Sequence, residues 1–387
     1  MKRSVSVGCV AVLVCGAVVI AGAQQQGRGG RAGAPGRSAG PGATAPRPEK
    51  GTVERITVHG KSLEGNLEGD PADREVLVYL PPSYVADQSR RFPVVYLLHG
   101  YTGHDTTFTE RLANLPESAD RWDAAQGFSS AIYVMPDAFT LHKGSMYSES
   151  PTIGNWEKFI AEDLVAYIDS HYRTLPTRMS RGLAGHSMGG YGALRIGMKR
   201  PDVFADLYLM SSCCLAAARN PNPESMKAAE AIKTREQAEE AAKAPGFGVS
   251  VILSEAAAWS PNPKNPPLFL DLPVKDGKVR LEIVAKWAAN APLETIGQYA
   301  DNLKKYYSIG IEVGTKDSLL GSNQQLHNTM MRLGIPHRYE EYDGDHTNHV
   351  RDRIDRNVLP FFSHYLAAPP NPTNPSPPAD VLAPSSK

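Results

Sequence analysis

Residues 181–197, RGLAGHSMGGYGALRIG, place glycines on both sides of Ser187 where an apolar strand pattern changes to a helical pattern. Glycine adopts backbone conformations that other residues avoid, so this composition predicts a sharp bend or a close approach of the chain. The pentapeptide GHSMG has the form G-x-S-x-G, which between a strand and a helix is typical of a nucleophile elbow. We therefore predict that Ser187 is a nucleophile at the N-terminus of the following helix, where the helix dipole favours negative charge.

The partners of such a serine follow it in the chain in the order acid then histidine, each after a later strand. Asp317 follows the strand pattern YSIGIEVG, and His346 follows the strand pattern HRYEEY. Asp317 is expected to hold the imidazole of His346 in the tautomer that accepts a proton from the Ser187 hydroxyl. The sequence thus predicts a catalytic triad of Ser187, Asp317 and His346.

The segment around His346 leaves two alternatives open. His349 is a second candidate for the base, although it begins the helical pattern HVRDRIDRNVL. Asp343, Asp345, His346 and His349 could together ligate a divalent cation. The segment is rich in turn residues and does not hold these side chains on one helix face, so we favour His346 as the base and expect neither a metal nor another cofactor.

Negative charge that develops in such a reaction needs hydrogen-bond donors. The stretch LLHGYTG, residues 97–103, ends an apolar strand near the front of the domain. In this architecture the turn after that strand and the residue after the nucleophile supply backbone N–H groups. We assign the oxyanion hole to the N–H groups of Tyr101 and Met188, and we expect His99 to pack beneath the site.

Short apolar strand patterns alternate with helical patterns along most of the chain, which is typical of an α/β fold with a mostly parallel central sheet and helices on both faces. Residues 215–300 interrupt this alternation with charged helical runs, a loop, and a predicted hairpin, LFLDLPVKDGKVRLEIV, that turns at Asp276-Gly277. We interpret them as a cap-like insertion over the sheet. Trp259 and Trp287 are its candidate substrate contacts, and a surface elaboration without a role in the chemistry is the alternative.

The termini differ from the domain in composition. Residues 1–23 combine a basic start, an apolar run and the small residues Ala21-Gly22-Ala23, which predicts a signal peptide and a secreted or periplasmic protein. A retained membrane anchor is the alternative, but the apolar run is short for a spanning helix. Residues 24–50 and 368–387 are rich in Gly and Pro and are predicted to be disordered, which leaves residues 51–367 as the domain.

The charge balance restricts the class of partner. Lys and Arg together number 41, as do Asp and Glu, so we expect no nucleic-acid partner and no stable membrane insertion after the signal is removed. The mature chain keeps only the adjacent Cys213 and Cys214, which cannot join distant segments. We expect them to pack as two small apolar side chains.

Several segments together resemble the "putative esterase" family of α/β-hydrolases: VLVYLPPSY, FPVVYLLHGYTG, YVMPDA, GLAGHSMGGYGALRIGMKRPDVF and YDGDHTNHV. The family includes esterase D, S-formylglutathione hydrolases, feruloyl esterases, siderophore esterases and secreted mycolyltransferases. The resemblance implies the same roles for Ser187, Asp317, His346, Tyr101 and Met188.

The residues and the resemblance lead to one expected activity. We expect an exported serine esterase that works through an acyl-enzyme on a small-molecule or polysaccharide-linked ester, such as an acetyl, feruloyl or siderophore ester. An acyltransferase of the mycolyltransferase type that uses the same triad is one alternative. A binding protein that has lost catalysis is the other.

Overall fold

A computed structural model describes residues 48–125, 128–217, 223–244 and 247–366, all within one compact unit. Its strands, in chain order, are β1 (Thr52–His59), β2 (Asp73–Leu80), β3 (Val94–Leu98), β4 (Ile132–Pro136), β5 (Glu149–Ser150), β6 (Gly154–Asn155), β7 (Arg181–His186), β8 (Asp206–Met210), β9 (Val274–Lys275), β10 (Lys278–Val279), β11 (Ser308–Gly314) and β12 (Arg338–Tyr342). The predicted signal peptide and the predicted C-terminal tail lie outside the described residues, as does the predicted linker up to residue 47.

Eight of these strands form the central sheet, in the order β1-β2-β4-β3-β7-β8-β11-β12. The pairs β1/β2 and β2/β4 are antiparallel, and every later pair in that order is parallel. The carboxyl ends of β3, β7, β8, β11 and β12 therefore meet at one edge, where the residues that follow each strand can converge.

The α-helices are α1 (Pro82–Ala86), α2 (Leu115–Asp123), α3 (Trp156–Lys158), α4 (Leu164–His171), α5 (Met188–Lys199), α6 (Pro223–Ala231), α7 (Arg235–Lys243), α8 (Gly248–Trp259), α9 (Leu281–Ala288), α10 (Pro292–Thr295), α11 (Ala300–Leu303), α12 (Leu320–Arg332), α13 (Val350–Arg353) and α14 (Leu359–Tyr365). The π-helical segments Phe159–Asp163 and Ile354–Val358 join α3 to α4 and α13 to α14. Short 3₁₀ helices span Lys61–Leu63, Asp105–Phe108, Arg178–Ser180 and Ile296–Tyr299.

The sheet separates two apolar cores, because successive side chains of a strand point to opposite faces. In β3, Val94, Tyr96 and Leu98 belong to one core, whereas Val95 and Leu97 belong to the other. Helix α5 packs in the first core, and α14 packs in the second. A mostly parallel sheet that is covered on both faces was predicted, and the fold confirms it.

The segment between β8 and β11 packs beside the carboxyl edge of the sheet. In α8, the Ser254 hydroxyl donates to the Gly144 carbonyl (2.6 Å), and Lys143 Nζ donates to the carbonyl of Ala244 at the end of α7 (2.8 Å). The predicted turn at Asp276-Gly277 is present, but β9 and β10 pair over only two residues each. The continuation LEIV was predicted as a strand and is instead the start of α9, with Glu282 in its first turn and Lys286 in its last, as the helix dipole favours.

Trp259 lies at the centre of the contact between α8 and the sheet domain. Its indole is 5% exposed, packs against Tyr191 of α5 (5.8 Å between ring centroids), and donates a hydrogen bond to Ser148 Oγ (3.2 Å). Trp287 packs edge-on against it (5.5 Å) and donates to Ser260 Oγ (2.9 Å). The expectation that these indoles contact substrate is not supported for Trp259, because its faces are occupied by protein.

Replacement of Trp259 is therefore expected to affect stability first. Trp259→Ala removes a buried aromatic side chain and should lower the free energy of unfolding by about 3–5 kcal/mol. Urea unfolding followed by circular dichroism measures this change. Met331→Ala, at a side chain that is 63% exposed, is the control and should change stability by no more than about 0.5 kcal/mol. Equal stability of the two variants would contradict the packing role.

No helix among the described residues is long and apolar enough to cross a membrane.

Candidate active site

Ser187 lies between β7 and α5 in a backbone conformation that residues with a side chain rarely adopt, with φ 58° and ψ −115°. Its N–H donates to the Met210 carbonyl at the end of β8 (2.9 Å), and its carbonyl accepts from the Cys213 N–H (3.1 Å). The glycines two positions away permit this bend. A Cβ at Gly189 would lie 1.9 Å from the Leu98 carbonyl oxygen, and one at Gly185 would lie 2.2 Å from the backbone of Gly189.

The structure brings together the three residues that the sequence singled out. Ser187 Oγ lies 3.0 Å from His346 Nε2, and His346 Nδ1 lies 2.8 Å from Asp317 Oδ2. A carboxylate accepts only, so the proton of a neutral His346 imidazole is on Nδ1, and Nε2 accepts from the Ser187 hydroxyl. This is the hydrogen-bond relay that a serine needs in order to lose its proton as it attacks.

Asp317 is held as an anion. Burial alone raises the pKa of its carboxyl group, but the hydrogen bond with His346 and the Leu319 N–H (2.9 Å) outweigh burial and hold that pKa below its usual value. Its side chain is fully buried, whereas that of His346 is 29% exposed. The pair thus has a fixed negative end and a base that is open to solvent or substrate.

The loops that carry the acid and the base are joined by their backbones. The Thr315 N–H donates to the Tyr342 carbonyl and the Lys316 N–H donates to the Gly344 carbonyl, both at 2.8 Å. These bonds continue the parallel ladder of β11 and β12 beyond the strand ends. The distance between Asp317 and His346 is therefore fixed by main-chain pairing.

The other residues of the alternative metal site have other partners. Asp343 pairs with Lys316 (2.5 Å), and Asp345 Oδ1 accepts from the backbone N–H groups of Thr347 and Asn348. His349 lies 3.2 Å from Asp352 on its own helical turn. No group of three or more His, Cys, Asp or Glu side chains able to hold a metal is found among the described residues. The geometry favours the relay through His346.

The side chains of the two residues assigned to the oxyanion hole meet beside Gly144. Neither the Tyr101 N–H nor the Met188 N–H donates to an acceptor within the described part of the chain. Gly144 packs between the two side chains, since a Cβ there would lie 2.6 Å from Met188 Sδ and 2.9 Å from Tyr101 Cδ2. Two free backbone donors beside the nucleophile are what a tetrahedral oxyanion requires.

His99 supports the turn that carries Tyr101. Its Nδ1 donates to the Gly100 carbonyl (2.8 Å), and its Nε2 accepts from the Ala138 N–H (2.8 Å). Burial lowers the pKa of this imidazole to about 4, so His99 is neutral near pH 7. The expectation that His99 packs beneath the site is confirmed.

Cys213 and Cys214 follow β8 directly and differ from the expectation of two separately packed thiols. The structure joins their Sγ atoms in a disulfide. Cys214 has a positive φ of 62°, in a turn that brings the two adjacent side chains together. The bond closes no long loop, as predicted.

Phe247 is a residue at this edge that the sequence analysis did not single out. It is 59% exposed, and its ring lies 5.7 Å from the ring of Tyr101. A large aromatic side chain between Pro245-Gly246 and Gly248 was the signal that could have indicated it, because such a side chain in a loop is often a contact for a ligand.

A doubly covered α/β sheet with a serine elbow at its carboxyl edge, followed in the chain by an acid and a histidine, defines an α/β-hydrolase. The chain belongs to the family described as "Putative esterase", which matches residues 71–350. That range contains all three residues of the relay.

Curated relatives align with parts of the chain. The "Endo-1,4-beta-xylanase/feruloyl esterase" of Xylanibacter ruminicola is 29% identical over 225 residues, which are 54% of this chain and 29% of that protein. "Esterase Rv1288" of Mycobacterium tuberculosis is 36% identical over 135 residues, covering 34% and 27% of the two chains. The S-formylglutathione hydrolase of Mus musculus is 26% identical over 159 residues, covering 35% and 51%. The chain thus spans between about a quarter and a half of the length of these relatives.

Solved structures share the fold. A ferulic acid esterase superposes with a TM-score of 0.59 at 21% identity, covering 82% of this chain and 99% of that chain. An S-formylglutathione hydrolase from Agrobacterium tumefaciens gives 0.54 at 16% identity, covering 83% and 97%. MPT51 of Mycobacterium tuberculosis gives 0.53 at 13% identity, covering 82% and 99%. The predicted α/β-hydrolase fold is confirmed by these similarities.

The two histidines of the 343–349 segment provide a matched pair of variants. His346→Ala should lower kcat for an activated ester by about 10⁴-fold, because it removes the group that accepts the serine proton.

His349→Ala is the control and should stay within about tenfold of the native rate. Initial rates with the same activated ester give both results. Loss of activity in His349→Ala but not in His346→Ala would assign the base to His349. Loss of activity in both variants, together with inhibition of the native enzyme by a chelator, would favour a metal site.

Proposed function

We propose that this protein is an exported serine esterase that hydrolyses carboxylic esters through an acyl-enzyme. The observation that carries the proposal is the continuous relay from Ser187 Oγ through His346 to Asp317, with hydrogen-bond lengths of 3.0 Å and 2.8 Å. Membership of the esterase family agrees with this chemistry. Export is supported by the signal-peptide pattern of residues 1–23.

The first half of the reaction transfers the acyl group to the enzyme. Ser187 Oγ attacks the ester carbonyl carbon while His346 Nε2 takes the hydroxyl proton, and Asp317 stabilises the resulting imidazolium. The carbonyl oxygen becomes an oxyanion that accepts hydrogen bonds from the N–H groups of Tyr101 and Met188. The intermediate then expels the alcohol, which leaves with the proton from His346.

The second half restores the enzyme. Water gives a proton to His346 Nε2 and attacks the acyl carbon, which forms a second oxyanion in the same hole. Collapse breaks the bond between the acyl carbon and Ser187 Oγ, and the serine oxygen recovers its proton from His346. The products are a carboxylic acid and an alcohol, and no step calls for a cofactor.

The substrate that we propose is a small-molecule or polysaccharide-linked ester, such as an acetyl, feruloyl or siderophore ester. The relative named as a feruloyl esterase supports an ester of this kind. An exported enzyme meets such esters outside the cytoplasm. The 29% exposure of His346 is consistent with a site that large alcohol groups can approach.

Transfer to an alcohol other than water uses the same acyl-enzyme, so product analysis separates the two reactions. Incubation with an activated ester and increasing glycerol or sugar should release free acid as the main product. Dominant formation of a new ester would assign an acyltransferase instead. Absence of turnover with every ester of a broad panel would favour the binding protein.

Ser187 should be the residue that carries the acyl group. A fluorophosphonate probe should add to Ser187, because among the serines that the structure describes it alone combines the elbow with a base at 3.0 Å. Peptide mass spectrometry locates the adduct. Ser187→Ala should not react with the probe and should lose activity, whereas Ser211→Ala, at a neighbouring buried serine, should keep the adduct at Ser187. An adduct on another serine would disprove the assignment.

Phe247 should influence substrate preference. Phe247→Ala removes an exposed aromatic ring beside Tyr101 and should lower kcat/KM for aryl or long acyl esters by on the order of tenfold relative to acetyl esters. A panel of esters with increasing acyl length measures the ratio. Leu281→Ala, at a side chain of the same insertion that is 75% exposed, is the control and should leave the ratio unchanged. The same ratio of kcat/KM values in Phe247→Ala and Leu281→Ala would show that Phe247 does not influence substrate preference.

A further inference from the structure

His186 places a second imidazole beside the relay. It is the last residue of β7 and precedes the nucleophile, and it is only 3% exposed. Its ring lies 4.7 Å from the ring of His346, with an angle of 41° between the ring planes. The catalytic steps described above make no use of this buried, titratable group.

One hydrogen bond connects His186 to the base. His186 Nε2 lies 2.8 Å from the main-chain carbonyl oxygen of His346. A carbonyl oxygen only accepts, so Nε2 must carry the hydrogen and donate it. Nδ1 is buried without a hydrogen-bond partner among the described residues, which agrees with an imidazole that has a single proton.

The surroundings keep this imidazole uncharged. Burial is the main cause that lowers the pKa of His186 to about 4, and repulsion from a protonated His346 acts in the same direction. Three charged or titratable groups face it from separate segments: His346 after β12, Asp317 after β11, and Arg111 after the 3₁₀ helix Asp105–Phe108. Asp317 favours protonation, but it is already paired with His346.

We propose that His186 is a positioning residue whose Nε2–H holds the main-chain carbonyl of His346 and thereby sets the His346 imidazole against Ser187 Oγ. This inference rests on the proposed function. Ser187 and His186 are adjacent, so the nucleophile and the group that anchors its base belong to one short stretch of backbone. Any movement of the elbow moves the anchor with it.

A neutral anchor also suits the charge that appears during the reaction. His346 becomes an imidazolium when it takes the serine proton, and a second positive charge within 5 Å would oppose that step. A neutral imidazole donates to the carbonyl without adding charge. Lysine or arginine at this position would supply the donor but also the repulsion.

Two variants separate the hydrogen bond from the volume of the side chain. His186→Met is similar in size and has no N–H donor, whereas His186→Gln keeps an uncharged N–H donor of comparable reach. Displacement of a catalytic base by a fraction of an ångström to one ångström lowers rates by up to about 100-fold. We expect kcat of His186→Met to fall by about 10- to 100-fold with KM little changed, and His186→Gln to recover most of this loss. A native kcat in His186→Met, or a loss in His186→Gln as large as that in His186→Met, would overturn the proposal.

A measurement on the native protein does not depend on whether either variant folds. Nitrogen-15 chemical shifts of the histidine rings, assigned through correlations with the backbone of each residue, report the site of protonation. The proposal requires a neutral His186 with its proton on Nε2 over the whole pH range of activity. A proton on Nδ1, or an imidazolium in that range, would overturn it.

Ser187→Ala in the same assay distinguishes failure of the proposed function from failure of the positioning role of His186. Native turnover in Ser187→Ala would remove the proposed function and this inference with it. Loss of turnover in Ser187→Ala combined with a native kcat in His186→Met would remove only the positioning role.

Discussion

The bend at Ser187 is the constraint on which the site depends. A residue with a side chain at φ 58° and ψ −115° is strained, and such strain persists only where the surrounding structure enforces it. The enforcement comes from close packing: Gly189 leaves no room for a Cβ beside the Leu98 carbonyl, and the Ser187 N–H is held by β8. The sheet and α5 together enforce the bend that presents the half-buried Ser187 hydroxyl at the carboxyl edge.

The same edge of the sheet gathers the remaining groups. Parallel strands end together, so Tyr101 follows β3, Ser187 and Met188 follow β7, and the loops after β11 and β12 carry Asp317 and His346. Residues that are far apart in the sequence thus converge without long connections. His99 and Gly144 contribute by fixing the turn and permitting the approach of Met188.

Most of this arrangement could be predicted from local patterns. G-x-S-x-G between a strand and a helix indicates a nucleophile elbow, and the order of acid and histidine after later strands restricted the choice of partners to a few residues.

The structure of the insertion, residues 215–300, was harder to predict. Trp259 and Trp287 were chosen as substrate contacts because they are large aromatic side chains in the insertion. The contact of Trp259 with Tyr191 depends on how α8 packs against α5, and no local sequence pattern predicts that packing. The second strand of the hairpin was predicted to be too long, because the apolar and polar residues of LEIV alternate as in a strand. Glu282 in the first turn and Lys286 in the last turn of α9 are instead typical of a helix. Neighbouring cysteines likewise gave no sign that a positive φ would bring their sulfurs together.

The backbone bonds from Thr315 and Lys316 to the residues after β12 hold Asp317 and His346 against each other. The sheet holds Asp317 in place relative to Ser187 as well, because β11 pairs with β8 and β8 pairs with β7. Strand β12, which carries His346, lies at the edge of this sheet, where it pairs with β11. Local opening of that edge would therefore withdraw the His346 imidazole from both Ser187 and Asp317 while the rest of the sheet stays folded, so the stability of one edge strand sets a limit on activity that is separate from the stability of the fold.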